Sequence, residues 1–409
     1  MHRLFLLVLL LPPDHDIQAQ RKLSSEAQIS VITFGPWQGE VYSAFGHSAI
    51  RIFDPQLQID EAYNYGVFDY DQPNFYLNFS KGYLYYQLGV FDYQSMANAY
   101  IYYNRYIHEQ VLNLTPPQKQ KVYDYLQWNA LPENQYYRYD YFYDNCATKI
   151  RDVFATVFKD SVVFDGSYVQ TDYTIRELTD LYLVHQPWGD LGIDICLGIP
   201  MDKVADPYEY MFLPDYIESG FDHAYMHRGG DRFPLVARKI NAYESREEDP
   251  PKGLPHPLLV FSIVAAGVAL ISFYDIRRRG LSNWLDISLF GTAGLIGLLL
   301  LTLWLFTDHR AAAWNMNLLW ALPTHLWVVF TLTSYRKATR KYFLTTAILC
   351  LVLLLCWNFL PQKLNYSLIP VVLALGIRAL VQFRIRTVQQ SAPVRETEYQ
   401  PHQPKHINT

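Results

Sequence analysis

Asp144-Asn145-Cys146-Ala147-Thr148-Lys149-Ile150-Arg151-Asp152-Val153-Phe154 decides how this chain is read. Cys146, Ile150, Val153, Phe154 and Val157 fall on one face at helical spacing, while Lys149, Arg151 and Asp152 fall on others. The segment is therefore an amphipathic helix that Asp144 or Asn145 can cap, with Cys146 in its first turn. The helix dipole favours a thiolate there, and a thiol does covalent chemistry only as a thiolate. An imidazole nearby would complete a nucleophile and base, and with them an enzyme that works through a thioester.

Upstream, residues 27–34 read as a first strand, 46–53 as a second stopped by Asp54-Pro55, and 61–68 as a third. Alternation at period two puts His47, Ala49 and Arg51 on one face and Ser48, Ile50 and Ile52 on the other. His47 is the candidate base; Gly46 gives it backbone room, and the small Ser48 and Ala49 leave space for a substrate. The group that orients the imidazole is expected on the neighbouring strand, at Asn64, with Tyr63 and Tyr65 as competitors. Residues 82–91 and 108–114 are further strands, and 116–128 a helix opened by Thr115-Pro116-Pro117. An extended run over 136–143 delivers Cys146, and a helix-like stretch over 206–217 belongs to the accessory wall of the site.

Composition splits the 409-residue chain near Pro250-Pro251: polar and tyrosine-rich before it, dominated by apolar runs after it. The basic start Met1-His2-Arg3 and the apolar stretch 4–11 form a secretory signal too short to span a bilayer, with a cut near Ala19-Gln20. Five apolar segments of near-spanning length follow, over 257–274, 284–306, 314–335, 342–360 and 366–381. Arg277-Arg278-Arg279 and Arg336-Lys337 with Arg340-Lys341 mark the first and third connecting loops as cytoplasmic. The N-terminal domain is then outside and the C-terminus inside. Pro370 and Arg378 interrupt the last segment, where the arginine would have to snorkel, and the polar tail reads as disordered.

Other readings of the same residues stay open. Cys146 and Cys196 both face an oxidising space and could form a disulfide in a non-enzymatic envelope assembly protein. A membrane-anchored cysteine amidase or peptidase would use the same Cys-His pair. The scattered histidines show no metal-ligand spacing, and no basic stripe points to nucleic acid. The tyrosines could line a core or form an aromatic belt at headgroup depth. Asp308-His309 and Asn315-Met316-Asn317 place polar groups at the exported ends of two spans, where they could meet substrate.

Ala44-Phe45-Gly46-His47-Ser48-Ala49-Ile50-Arg51, Tyr63-Asn64-Tyr65-Gly66, Asp144-Asn145-Cys146-Ala147-Thr148 and Trp314-Asn315-Met316-Asn317-Leu318-Leu319 resemble the Lnb-type lipoprotein N-acyltransferases of Bacteroidetes. The resemblance implies an α+β, papain-like exported domain of the circularly permuted NlpC type, in which histidine precedes cysteine, followed by an α-helical membrane domain of about five spans. The boundaries expected are 1–20 for the signal peptide, 21–250 for the periplasmic domain, 257–385 for the transmembrane domain and 386–409 for a cytoplasmic tail. The implied reaction takes an acyl chain from a membrane lipid, or from the lipoprotein's own glyceryl ester, onto Cys146 and passes it to the α-amine of a diacylated lipoprotein at the inner membrane. Cys146, His47 and Asn64 would be catalytic, and Asn145, Arg51, Ser48, His309, Asn315 and Asn317 would bind substrate. No metal or cofactor is implied, because the ester already carries the driving force.

Overall fold

Short runs in which apolar residues alternate with polar ones pair into the frame of the N-terminal half. The computed structural model describes residues 21–68, 71–247, 253–333 and 336–391, so the signal-peptide reading and the tail from residue 392 lie outside the described residues. The chain forms two units: Met1–Pro73, Leu84–Thr171 and Asp206–Asp249 make the first, and Asn74–Tyr83, Asp172–Ala205 and Pro250–Thr409 the second. Within the stretch 21–250, residues 74–83 and 172–205 group with the C-terminal unit. Backbone hydrogen bonds fix them there, from Asp308 N–H to Lys81 C=O at 2.9 Å and from Gly198 N–H to Ala311 C=O at 2.7 Å.

Among the described residues the strands are β1 (Gln28–Phe34), β2 (His47–Asp54), β3 (Ile59–Val67), β4 (Tyr85–Asp92), β5 (Ile107–Leu112), β6 (Tyr136–Arg138), β7 (Val162–Val163), β8 (Tyr225–Arg228), β9 (Asp231–Pro234) and β10 (Val236–Tyr243). An antiparallel seven-stranded sheet has the order β10-β5-β1-β2-β3-β4-β6, and a small one the order β7-β8-β9. The register sets Phe34 opposite His47 and Thr33 opposite Ser48. One face of the large sheet, with Ile50, Ile52, Tyr63 and Tyr65, buries Ala147, Ile150, Val153 and Phe154 of the Cys146–Phe158 helix. Each fully buried aliphatic or aromatic side chain of that helix contributes roughly 1.5–3 kcal/mol. The other face, with Ile32, Phe34, Ala49 and Ala62, packs Tyr93 and Ala97 of the Tyr93–Tyr102 helix.

Several expectations change in detail. The run 136–143 is a strand only over Tyr136–Arg138; Asp140 then accepts from the N–H groups of Phe142 and Tyr143 and turns the chain into the helix. The stretch 206–217 is two helices, Pro207–Tyr210 and Pro214–His223, because Pro214 cannot continue the first. The Tyr93–Tyr102 helix and the strands from Tyr225 onward were not expected.

Among the described residues of the second unit four helices are long and apolar enough to cross a membrane: Pro257–Arg278, Asn283–Phe306, Lys337–Leu355 and Tyr366–Gln389, the last made of a 3-10 turn over Tyr366–Leu368 that runs into the helix Ile369–Ser391. Residues 386–391, expected in a disordered tail, continue that helix. The expected span over 314–335 is broken: Trp314 has φ 56°, a short 3-10 turn covers Met316–Leu319, and Pro323 precedes a helix of seven residues, Thr324–Phe330. Arg378 does not snorkel. It is fully buried, with Nε 2.6 Å from Asp286 and Nη2 2.8 Å from Asp275, each on a different helix.

Candidate active site

The Asn145 side chain starts the helix that presents Cys146. Its Oδ1 accepts from the N–H groups of Ala147 and Thr148, both at 2.9 Å, while the Thr148 hydroxyl accepts from Asn145 N–H at 2.7 Å. Its Nδ2 donates to Tyr141 C=O at 2.9 Å and to Phe212 C=O at 2.8 Å. The amide is thus buried and engaged within the protein, where it positions the helix.

The half-buried Cys146 sulfur lies against backbone N–H groups of Ser48, Ala147 and Cys146 itself. Ser48 is the neighbour of His47 on β2, which brings nucleophile and imidazole to one end of the strand. Ser48 is itself fully buried and its hydroxyl lacks a partner among the described residues; what it turns to the sulfur is its backbone, not the substrate space expected of it. His47 Nε2 lies 2.5 Å from Asn64 Oδ1. An oxygen acceptor there keeps the ring proton on Nε2 and leaves Nδ1 as the basic nitrogen. The rival orienters point elsewhere: Tyr63 hydrogen-bonds Glu61 and Gln127, and Tyr65 hydrogen-bonds Asn129.

Gly66 makes the close approach possible. The β3–β4 ladder shifts register between Asn64 and Val67, and Gly66 within that bulge has φ +91°. A Cβ there would stand 3.6 Å from Cys146 Cβ, in a backbone conformation that other residues rarely adopt.

Burial dominates the electrostatics. It pushes the Cys146 thiol up to about 11, against the opposing pull of the Ser48, Ala147 and Cys146 N–H groups and of Arg105. It pushes His47 down to about 4, with the Asn64 hydrogen bond opposing and the Arg105 charge assisting. The resting pair is thiol and neutral imidazole, whereas the helix dipole alone had suggested a thiolate. Base-assisted attack is the chemistry such a pair supports, with His47 Nδ1 taking the proton as the sulfur attacks a carbonyl. All four cysteines, Cys146 and Cys196 included, are free thiols in the structure.

Sequence models of the Lnb N-terminal periplasmic domain and of the Lnb transmembrane domain match residues 16–180 and 249–390. The chain belongs to the Lnb family. No curated protein and no solved structure matches it. As an Lnb chain it is a membrane protein with an N-terminal periplasmic domain, and its helical half corresponds to a family domain of five transmembrane helices.

The remaining residues expected to bind substrate are held by other partners in this Lnb chain. Arg51 pairs with Asp60 at 2.6 Å and Glu109 at 3.0 Å and lies 3.7 Å from the Tyr93 ring centroid, which ties the sheet to the Tyr93–Tyr102 helix. In the second unit, Asn315 Nδ2 donates to Ile195 and Cys196 C=O, and Asn317 Nδ2 to Ile195 C=O. Both amides are buried and close the C-terminus of the Pro187–Cys196 helix, whose last carbonyls need donors. His309 Nδ1 lies 2.8 Å from the Thr307 hydroxyl. The sequence reading also passed over Asp180, Asp190 and Asp194, whose carboxylates lie within 4.8 Å of one another. Their charge is met by Arg176, Lys363 and Asn365, and burial and mutual repulsion push Asp190 up to about 7.

Proposed function

We propose that this protein is a lipoprotein N-acyltransferase that works through an acyl-Cys146 thioester. Its acceptor is the α-amine of the N-terminal diacylglyceryl-cysteine of a bacterial lipoprotein, at the outer face of the inner membrane. The observation that carries the reading is the convergence of Cys146, Ser48 N–H, His47 and Asn64 in a periplasmic domain of the Lnb family.

In the first half-reaction the Cys146 sulfur attacks an ester carbonyl while His47 Nδ1 takes the thiol proton. Collapse of the tetrahedral intermediate breaks the ester C–O bond, and His47 returns the proton to the leaving alkoxide. In the second half-reaction the lipoprotein amine attacks the thioester, its proton passes through His47 to the leaving sulfur, and an amide forms. Backbone N–H groups at the start of the Cys146 helix stabilise the oxyanion in both halves. The donor is a membrane phospholipid or the lipoprotein's own glyceryl ester; the first leaves a lysophospholipid, the second a lipoprotein that has lost one O-acyl chain. With the broken segment after Trp314 as a fifth crossing, the C-terminus is cytoplasmic.

Mass spectrometry of lipoprotein N-termini from cells whose only copy carries Cys146→Ala or His47→Ala tests the reading. Loss of the N-acyl group is expected in both, and intact wild-type protein should carry an acyl mass on Cys146 when the amine acceptor is withheld. Unchanged N-acylation in Cys146→Ala cells without a second such enzyme overturns it; a lost peptide-bond hydrolysis in its place would indicate an amidase.

A further inference from the structure

Arg105, between the Tyr93–Tyr102 helix and β5, is 9 % exposed. Its Nε donates to Gly35 C=O at 2.6 Å, and its guanidinium lies 4.5 Å from the Tyr100 ring centroid. That ring stacks on Phe34 at 3.8 Å and lies 6.3 Å from the His47 ring at an interplanar angle of 9°. Gly35 directly follows Phe34, the residue paired with His47. Arg105 is therefore fixed to the backbone at the end of the sheet that bears the imidazole.

Its Nη2 is buried and has no hydrogen-bond partner, and among the described residues the guanidinium makes no ion pair. A buried cation with a vacant donor and no counter-ion is costly unless an anion is formed or bound beside it. Of the carboxylates around the neighbouring Tyr106, Asp215 is taken by the Tyr106 hydroxyl at 2.5 Å and Glu218 by His108 at 2.9 Å. The groups around Arg105 are Tyr42, Tyr100, Tyr106 and the Cys146 thiol, and Cys146 also faces Tyr137 and Tyr139. Burial raises Tyr100, Tyr106, Tyr137 and Tyr139 above the ordinary phenol range, so these stay neutral. Tyr42 is exposed, and of the buried groups the sulfur is the one that must become an anion to react.

We propose that Arg105 supplies a fixed positive charge against which the Cys146 thiolate forms as His47, kept neutral chiefly by its burial, takes the proton. This rests on Cys146 being the nucleophile. Burial is the larger effect on each partner, raising the thiol and lowering the imidazole; the Arg105 charge opposes it at the thiol and adds to it at the imidazole. Arg105 is a positioning residue for charge; it transfers no proton itself.

The test is the pH dependence of iodoacetamide alkylation at Cys146, followed by mass spectrometry of the Cys146 peptide in the full-length protein in detergent. Arg105→Gln keeps a donor for Gly35 C=O and removes the charge; it should shift the profile upward and slow alkylation at pH 8 about tenfold, one unit in thiol pKa. Arg105→Lys should retain most of the wild-type profile. An unshifted Arg105→Gln profile, or Arg105→Lys shifted as far as Arg105→Gln, overturns the proposal and leaves Arg105 as an anchor for Gly35. If Arg105→Gln does not fold, Arg105→Met takes its place in the same comparison with Arg105→Lys. The readout needs no acyl transfer, so its failure is separate from failure of the proposed reaction.

Discussion

At the scale of single residues, the site is a neutral pair held ready by hydrogen bonds. With His47 down at about 4 and Cys146 up at about 11, kcat/KM for the acyl donor, which does not titrate, should be flat across neutral pH and fall tenfold per unit below about pH 4, as the imidazole gains its proton. An acidic limb near 6.5 in the rate profile would mean that the imidazole is not held neutral as described. Stability follows the same titration. The unfolded chain protonates near 6.5 and the folded one lower, so the contribution of His47 to stability is intact at pH 7 and is lost as pH falls toward 4. Asn64→Ala removes the acceptor on Nε2 and frees the ring to take either tautomer. A drop of roughly tenfold or more in kcat with KM little changed is expected, since the substrate does not need the amide to bind.

His47 and Asn64 could be read from the sequence because a strand's period of two puts them on one face of neighbouring strands, and register does the rest. Arg105 could not. It reaches the site through a loop, by a backbone carbonyl and a ring face, and neither leaves a spacing in sequence. For Arg51 the face is legible in the sequence and the partners are not: side-chain direction alone does not show that Asp60 and Glu109 pair with it.

At the scale of elements, close backbone approach constrains the second unit. A Cβ at Gly198 would stand 1.9 Å from Ala313 C=O, and one at Gly297 1.8 Å from Ala321 C=O. Gly198→Ala and Gly297→Ala should each lower stability by about 1–3 kcal/mol or more, visible as a lower melting temperature in detergent. The three carboxylates of Asp180, Asp190 and Asp194 make the Pro187–Cys196 helix sensitive to pH. Asp190 is raised, so the fold favours its neutral form, and this stability is present at acid pH and lost as pH rises through about 7. Asp190→Asn should flatten that decline between pH 5 and 8; an equally steep thermal-stability profile would rule the cluster out as its source. None of these three has a motif, because they converge only when two helices pack.

At the scale of the molecule, the membrane unit holds its charges in pairs. Arg378 sits between Asp275 and Asp286, and Gln382 donates to Asp286 at 2.6 Å. Arg378→Met leaves the buried Asp286 without its cation, while Asp275 keeps Arg278 at 2.7 Å, and should cost about 3–5 kcal/mol, with Asp286→Asn restoring part of the loss. The sequence reading placed Arg378 in a span but not its partners, since hydropathy sees composition and not which helices touch. For the same reason it read 314–335 as one span: the residues are apolar enough, but Asn315, Asn317 and Pro323 spend their backbone in turns.

Asn145 joins Tyr141 and Phe212 to the first turn of the nucleophile's helix through one amide. A genetic screen for inactive alleles should therefore recover lesions near Phe212, far along the chain from Cys146. Such alleles would yield stable, membrane-inserted protein whose thiol is merely out of line, and they would be suppressed by changes that restore the reach of that single side chain.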